Sequence, residues 1–177
     1  MFSIVNTPNL TGKTAVVTGA NSGLGKETAR AFAQKSAHVI VAARDVAKGK
    51  QAVEEIKKDL PNASLEVMEL DLASLDSISK FVDSFSKNHQ KLDFLINNAG
   101  LMAMPEGKTK DGFETQFGVN HLGHWALTGR LLPYLKKGNQ PRIVTVTSSA
   151  HHMASRINFD DPHMRKNYSA WGAYAQS

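Results

Sequence analysis

The stretch Thr18–Gly25, with the sequence TGANSGLG, decides the fold. It follows a short apolar, β-branched run, Ala15–Thr18, and precedes Lys26–Lys35, a stretch with helical spacing. Such a turn favours glycine because its backbone needs unusual dihedral angles and lets a bound pyrophosphate approach closely. The amino terminus of the following helix then offers free N–H groups and a positive dipole end to phosphates. Three glycines alone also suit an ordinary turn, but a second strand about 20 residues further on favours dinucleotide binding.

Outward from this turn, apolar runs alternate with stretches of helical spacing. The runs that predict the remaining strands are Val39–Ala43, Leu65–Leu70, Phe94–Ile96 and Ile143–Thr147. The predicted helices are Val46–Leu60, one capped by Ser74, and a long one from about Gly112 to Lys137. Asp45 is a plausible N-cap, and Pro133 is expected to distort the end of the long helix unless it breaks there. Because βαβ units place helices on both faces of a parallel sheet, the pattern predicts a doubly wound, Rossmann-type α/β fold.

Length and composition indicate one globular domain spanning residues 1–177. The chain has 41% hydrophobic and 21% charged residues and no cysteine, which excludes a disulfide scaffold, a thiolate metal site and a cysteine nucleophile. No apolar run is long enough to span a membrane, and the amino terminus does not resemble a signal peptide. These features predict a cytoplasmic protein.

The formal net charge of +5 does not indicate a nucleic-acid surface, because the basic residues are scattered and most lie near acidic neighbours. They include Lys48, Lys50, Lys57, Lys58, Lys108, Lys110, Lys136, Lys137, Arg165 and Lys166. Solvated helix faces are the simplest interpretation, and a phosphate-bearing small ligand is the alternative.

Further motifs carry a resemblance to a known family. The glycine spacing is Thr-Gly-x-x-x-Gly-x-Gly, Asn97–Gly100 reads NNAG after the fourth strand, and Asn120 lies in the long helix. Ser148-Ser149 comes at the end of the fifth strand, and Tyr174 follows 25 residues after Ser149. With these motifs the sequence from Leu10 onward resembles the short-chain dehydrogenase/reductase family. Within it, the sequence is similar to the retinol dehydrogenase and WW-domain oxidoreductase branch.

The resemblance implies a nicotinamide cofactor and a set of residues that hold it. The set is Gly19, Asn21, Ser22, Gly23, Leu24, Gly25, Arg44, Asp71, Leu72, Asn98, Ala99 and Gly100. At the end of the second strand an arginine suits the 2′-phosphate of NADP, whereas an acidic residue favours NAD. Arg44 therefore predicts NADP, with Asp45 as a competing signal that we interpret as the N-cap of the next helix. Asn97 is expected only to support the sheet.

The same resemblance implies hydride transfer between NADP(H) and an alcohol or carbonyl of a hydrophobic substrate. Tyr174 would be the acid/base, Ser149 would hold the substrate oxygen, and Asn120 would open a water-linked proton path. Tyr168 competes for the tyrosine role, but the family's lysine four residues later is replaced there by Gly172. For Tyr174 that lysine would lie just beyond Ser177.

We therefore expect a chain truncated before the last strands and helices of the domain. We also expect it to be inactive by itself, with an unpaired apolar edge at the fifth strand. The alternative is a non-catalytic, dinucleotide-binding fragment. The family's long helix often contributes to a dimer interface, so the resemblance allows a homodimer in the complete protein, but the sequence itself does not fix the oligomeric state.

Two groups of side chains stay open to several interpretations. His121 with His124, and His151 with His152, lack acidic partners at ligand spacing, so we expect packing or substrate contact and no metal. Three methionines near the expected pocket mouth suit either an apolar substrate or loop filling. They are Met102, Met104 and Met153.

Overall fold

A computed structural model of the chain describes residues 4–177 and contains a five-stranded sheet in which every pair of neighbours is parallel. The strands are β1 (Thr14–Thr18), β2 (His38–Ala43), β3 (Leu65–Glu69), β4 (Phe94–Asn97) and β5 (Arg142–Thr145). Their spatial order is β3-β2-β1-β4-β5, so the chain winds outward from β1, returns to its other side and winds outward again. The predicted doubly wound parallel sheet is confirmed.

Helices connect the strands and cover both faces of the sheet. They are α1 (Gly23–Gln34), α2 (Val46–Asp59), α3 (Leu75–Asn88), α4 (His124–Leu135) and α5 (Ala170–Gln176). The two predicted caps are present: the Asp45 side chain accepts a bond from the N–H of Lys48, and that of Ser74 from the N–H of Ser77. These caps satisfy N–H groups that have no partner inside the helix.

Two apolar clusters hold the layers together, one on each face of the sheet. On one face, Phe81 and Phe85 of α3 pack with Leu127 and Leu131 of α4. On the other face, α1 and α2 pack against β1, β2 and β4, with Ile56 fully buried. Strands covered on both faces need apolar residues throughout, which explains the unbroken apolar runs of β1 and β2.

The long helix predicted over 112–137 has a different form. Helical geometry begins near Thr115, the turns Phe117–Gly123 are π-helical, and regular α-helix starts only at His124. The helix continues through Pro133 to Leu135 and does not break at the proline. A π-helical stretch inside an α-helix frequently accompanies a functional site, and this one contains Asn120.

A buried carboxylate joins the amino ends of the central strands. The fully buried Asp93 accepts bonds from the N–H groups of Thr14 and Asn139, at 3.0 Å each, and from the ammonium of Lys13 at 3.2 Å. Burial by itself would raise the pKa of Asp93, but these three bonds outweigh it and hold the pKa below its ordinary value. Asp93 thereby ties the starts of β1 and β4 to the turn before β5.

β5 is one of the two edge strands of the sheet and pairs only with β4 within the described residues. Ile143, Val144 and Val146 are each close to half exposed, so the apolar face expected of this strand is open in the described chain. Among residues 4–177, no helix has the length and apolar character that a membrane crossing requires.

Candidate functional site

The site begins where the strand order reverses, between the carboxyl ends of β1 and β4. Gly19 has a φ of +64°, and a Cβ built on it would lie 2.9 Å from the Cα of Ala99. A Cβ on Gly25 would lie 2.5 Å from both the Asn98 side chain and the Gly19 carbonyl. The turn therefore needs glycine at both positions, because the first turn of α1 packs directly against the loop after β4. Ligands of open α/β sheets bind at such a reversal.

The hydroxyl of Thr18 holds the two sides of this reversal together. Its Oγ1 accepts bonds from the N–H groups of Asn98 and Ala99, both at 2.9 Å. The Asn98 side chain donates in return to the Thr18 carbonyl at 2.9 Å. Since the hydroxyl accepts twice, its proton is free to be donated; the Ile96 carbonyl lies 3.4 Å away, and His124 Nε2 is closer, at 2.9 Å.

These bonds define the tautomer of His124. Because the Asn120 carbonyl can only accept, Nδ1 carries the proton and donates to it at 2.8 Å, which leaves Nε2 of the neutral ring to accept from Thr18. Burial lowers the pKa of His124, which favours this neutral ring. The imidazole thus connects the glycine-rich turn to Asn120 in the π-helical turn.

A cleft of about 370 Å³ lies over this reversal. Its lining is formed by Thr18, Gly19, Asn21, Ser22, Leu24, Gly25, Ala42, Arg44, Leu70, Asp71, Leu72, Asn98, Ala99, Gly100, Leu101 and Val119. It brings together every cofactor-binding residue expected from the sequence except Gly23. That residue opens α1 with a φ of +52°, and no described atom lies within 4 Å of a Cβ built on it.

One end of the cleft adjoins a polar cavity around Arg44. This cavity, of about 530 Å³, is also lined by Asn21, Asp45, Lys48 and Glu69. Within residues 4–177 Arg44 has no ion-pair partner, so its guanidinium is available to a ligand. The Asp45 side chain, by contrast, is engaged by the N–H of Lys48 at 3.1 Å, as the N-cap interpretation predicts.

The third region that was expected to contact the cofactor follows β3. Asp71 accepts a bond from the N–H of Ala73 at 3.0 Å and forms an ion pair with Lys110 at 3.2 Å. Leu72 is buried beside it. Asn97 lies behind the cleft and donates to the hydroxyls of Thr128 and Thr145, as its expected supporting role requires.

A second cavity, of about 290 Å³, joins the cleft at residues 98–100, which line both. Its lining is Asn98, Ala99, Gly100, Asn120, His121, His124, Thr145, Val146, Thr147, Ser148, His151, Tyr174, Ala175 and Ser177. Two of the three residues expected to be catalytic, Asn120 and Tyr174, therefore meet here.

The expected serine, Ser149, does not line this cavity. It is exposed and begins a short 3₁₀ turn, whereas Ser148 caps that turn, accepts a bond from the N–H of Ala150 and lines the cavity. β5 ends at Thr145, so a non-helical link connects it to the turn. The position of the turn decides which of the two serines faces the cavity. The sequence shows only two adjacent serines and does not indicate where the turn begins.

Asn120 and Tyr168 have defined partners. The Asn120 side chain accepts from the N–H of Leu101 at 2.8 Å and donates to its carbonyl at 2.9 Å, which fixes the loop after β4. The Tyr168 hydroxyl donates to the Met104 carbonyl at 2.7 Å and accepts from Gln116 at 3.1 Å. Burial raises the pKa of Tyr168, so its hydroxyl gives up a proton less readily than a free tyrosine does.

The histidines after β4 and β5 lie at the site. His121 and His151 line the cavity, and His121 stacks on Phe117 with ring centroids 5.2 Å apart. The sequence indicated packing or substrate contact for these residues, and the structure places both in the cavity wall.

Comparison with known proteins agrees with this geometry. A sequence profile described as short chain dehydrogenase matches residues 13–159. The chain belongs to the short-chain dehydrogenase family. Human retinol dehydrogenase 12 is 49% identical over 168 residues, which is 95% of this chain and 53% of that protein. This short-chain dehydrogenase chain thus spans about half the length of the curated relatives it matches.

Solved structures also resemble this short-chain dehydrogenase chain. An uncharacterized protein from Mycobacterium paratuberculosis has a TM-score of 0.87 and 46% identity, covering 99% of this chain and 61% of that one. A short chain dehydrogenase from Escherichia coli CFT073, complexed with NADPH, has a TM-score of 0.74 and 26% identity. That alignment covers 94% of this chain and 66% of the other.

Proposed function

We propose that this site is that of an oxidoreductase which transfers a hydride between NADP(H) and an alcohol or carbonyl of a hydrophobic substrate. One observation carries the proposal: the cleft over the glycine-rich turn opens at residues 98–100 into the cavity that contains Ser148 and Tyr174. A dinucleotide that follows the cleft would end beside a hydroxyl pair. Family membership supports the oxidoreductase class.

The residues of the cleft suit a nicotinamide dinucleotide phosphate. The close packing at Gly19 and Gly25 leaves bare backbone at the start of α1, where N–H groups and the helix dipole favour a pyrophosphate. Arg44 is without an ion-pair partner in the described chain and can take a 2′-phosphate in a charge-assisted contact. When bound, the cofactor supplies or accepts the hydride.

The protein's own groups would handle the proton and the substrate oxygen. Tyr174 would donate a proton to the carbonyl oxygen during reduction and accept it during oxidation. Ser148 would hold the same oxygen by a hydrogen bond that strengthens as negative charge develops there. Asn120 would keep the loop after β4 in place through its two bonds to Leu101.

The assignment of Ser148 in place of Ser149 has a matched test in adjacent residues. In the protein that contains this chain, Ser148→Ala should lower kcat by about 10²–10³-fold. Ser149→Ala should leave kcat within about twofold because its side chain lies in solvent. Equal losses, or a larger loss for Ser149→Ala, would overturn the assignment.

NADP preference rests on Arg44 and can be measured separately from turnover. We expect the chain to bind NADPH more tightly than NADH in fluorescence titrations. Arg44→Asp should weaken NADPH binding by about 1.5–3 kcal/mol, the worth of a hydrogen bond to a charged group. Lys58→Asp is the charge-matched control, because Lys58 lies in the last turn of α2 and this cavity adjoins the first turn. Equal affinity for both cofactors would contradict the preference.

A hydrophobic substrate is supported by three exposed methionines in the segments that follow β4 and β5, close in sequence to residues that line the cavities. Met102, Met104 and Met153 are exposed, so they do not fill the core. Soft, flexible side chains of this kind suit an apolar ligand. The similar human protein is named for retinol, and we propose apolar aldehydes and alcohols as the substrate class. A protein that binds NADPH but reduces no apolar aldehyde would support the binding-only alternative.

We also propose that the outer face of α4 contributes to a homodimer. Trp125 and Leu132 lie exposed two turns apart on this helix and so share one face, and an exposed apolar patch marks an interaction site. Light scattering should give a dimer for the protein that contains this chain, and Trp125→Gln should shift it toward monomer. A monomer at micromolar concentration would contradict this proposal.

A further inference from the structure

Three potential metal ligands lie close together at the amino ends of β2 and β3, which is the end of the sheet opposite the cofactor cleft. His38 is the first residue of β2, Glu66 lies in β3, and His89 follows the last residue of α3. Their ligating atoms all lie within 4.8 Å of one another. Glu66 Oε2 is 3.0 Å from His89 Nε2 and 3.5 Å from His38 Nε2.

These distances suit a small tetrahedral cation. With zinc bonds of about 2.0–2.2 Å, neighbouring ligand atoms stand about 3.3 Å apart. The two distances from Glu66 lie on either side of that value. Imidazole and carboxylate are also the ligand types that zinc accepts in a three-residue site.

The two ring nitrogens of His38 have different surroundings. Its Nδ1 lies 2.7 Å from the Ser64 hydroxyl, while its Nε2 is buried with no hydrogen-bond partner in the described chain. The Glu66 carboxylate lies 3.5 Å from that nitrogen. A buried nitrogen without a partner is unfavourable, and a cation bound by both groups would give it one. Ligating histidines characteristically have the other ring nitrogen held in this way.

The surroundings orient the rings and leave solvent access. The rings of His38 and His89 stack with centroids 5.2 Å apart, and Phe85 contacts His89 at 5.0 Å. The side chains of His38, His89 and Glu66 are 29%, 13% and 33% exposed. A water molecule can therefore reach the fourth position of a tetrahedral site.

We propose that His38, Glu66 and His89 form a zinc site that ties β2 and β3 to the carboxyl end of α3. It lies at the amino ends of the strands, whereas the cofactor cleft lies at their carboxyl ends. Its role is structural: it joins three elements that are far apart in the sequence, and the proposed hydride transfer does not use it.

Titration of the metal-stripped, tag-free chain with Zn²⁺ at pH 7.5 tests the proposal. Isothermal calorimetry should give one site per chain with a micromolar or lower Kd, and the thermal midpoint should rise with added Zn²⁺. Glu66→Gln and His38→Gln should each weaken binding at least tenfold. Ser64→Ala should weaken it about tenfold, since Ser64 orients a ligand without touching the metal.

The control is His152→Gln, which removes an exposed histidine that lies beside His151. It should leave both the stoichiometry and the Kd unchanged. Circular dichroism checks that each variant is folded. Binding weaker than millimolar, binding unaffected by Glu66→Gln and His38→Gln, or binding lost in His152→Gln would overturn the proposal.

Discussion

Replacing Thr18 by valine removes one hydroxyl while keeping the shape of the side chain. Thr18 is fully buried, and its Oγ1 serves Asn98 N, Ala99 N and His124 Nε2, each at 2.9 Å. Each buried polar group left without its partner costs about 1–3 kcal/mol. Two N–H groups and one ring nitrogen are affected, which gives about 3–9 kcal/mol. We expect about 3–5 kcal/mol in the free energy of unfolding, because Asn98 and Ala99 line the cleft, where water can reach them. That is a large part of the roughly 5–15 kcal/mol available to a domain.

Thr18→Ser is the matched control, because it keeps the hydroxyl and loses only a methyl group. We expect it to cost about 1 kcal/mol. Urea unfolding followed by circular dichroism measures both variants. With an m-value of about 2 kcal/mol/M, Thr18→Val should lower the midpoint by about 2 M.

The same substitution should weaken NADPH binding at least tenfold, since the loop from Asn98 to Gly100 loses its anchor on β1. Thr18→Ser should stay within threefold of the unaltered chain. If valine were no more destabilising than serine, the hydroxyl would not hold the two strands together and the reasoning would be refuted.

Three further outcomes follow from the buried contacts. Gly25→Ala should weaken NADPH binding at least tenfold in titrations, whereas Gly129→Ala, where a Cβ meets no described atom within 4 Å, should raise helix stability by about 0.5–1 kcal/mol. Folding lowers the pKa of Asp93, so its contribution to stability is present above about pH 4 and is lost as the pH falls through the lowered pKa of the folded state. Asp93→Asn should lower the free energy of unfolding by about 3 kcal/mol in urea titrations at neutral pH, and it should reduce the loss of stability at acid pH. Burial lowers the pKa of His124, so as the pH falls the unfolded chain takes up this proton before the folded chain does. The thermal midpoint should therefore fall as the pH drops below about 6.5, and His124→Gln should remove this dependence of the midpoint on pH. Each prediction has an outcome that would contradict it. These outcomes are a Gly25→Ala variant that binds NADPH normally, an Asp93→Asn variant of full stability, and a thermal midpoint that depends on pH equally with and without His124.

Local signals predicted much of the fold. The strand limits differ from the predicted ones by at most two residues, and Asp45 and Ser74 cap the helices that follow them. Periodicity and capping act over a few residues, so they are readable in the sequence. The glycine spacing also indicated where the cleft lies, although the contacts of Gly19 and Gly25 with Ala99 and Asn98 became visible only in the structure.

Contacts between distant segments could not be read in the same way. Whether Ser148 or Ser149 faces the cavity depends on where a 3₁₀ turn starts after β5. The π-helical turn at Asn120 replaces part of a helix whose apolar spacing indicated a regular one. Likewise, His38 and His89 meet only because α3 ends beside the first residue of β2, and neither carries a ligand motif in its own segment.

The most direct test of the proposed reaction follows the hydride itself. The protein that contains this chain is incubated with an apolar aldehyde such as retinal and with NADPH deuterated at both C4 positions. Mass spectrometry should find one deuterium on the carbinol carbon of the alcohol product, and Tyr174→Phe should abolish its formation while NADPH still binds. An unlabelled product, or labelled product formed by Tyr174→Phe at an undiminished rate, would contradict the proposed hydride transfer at this site.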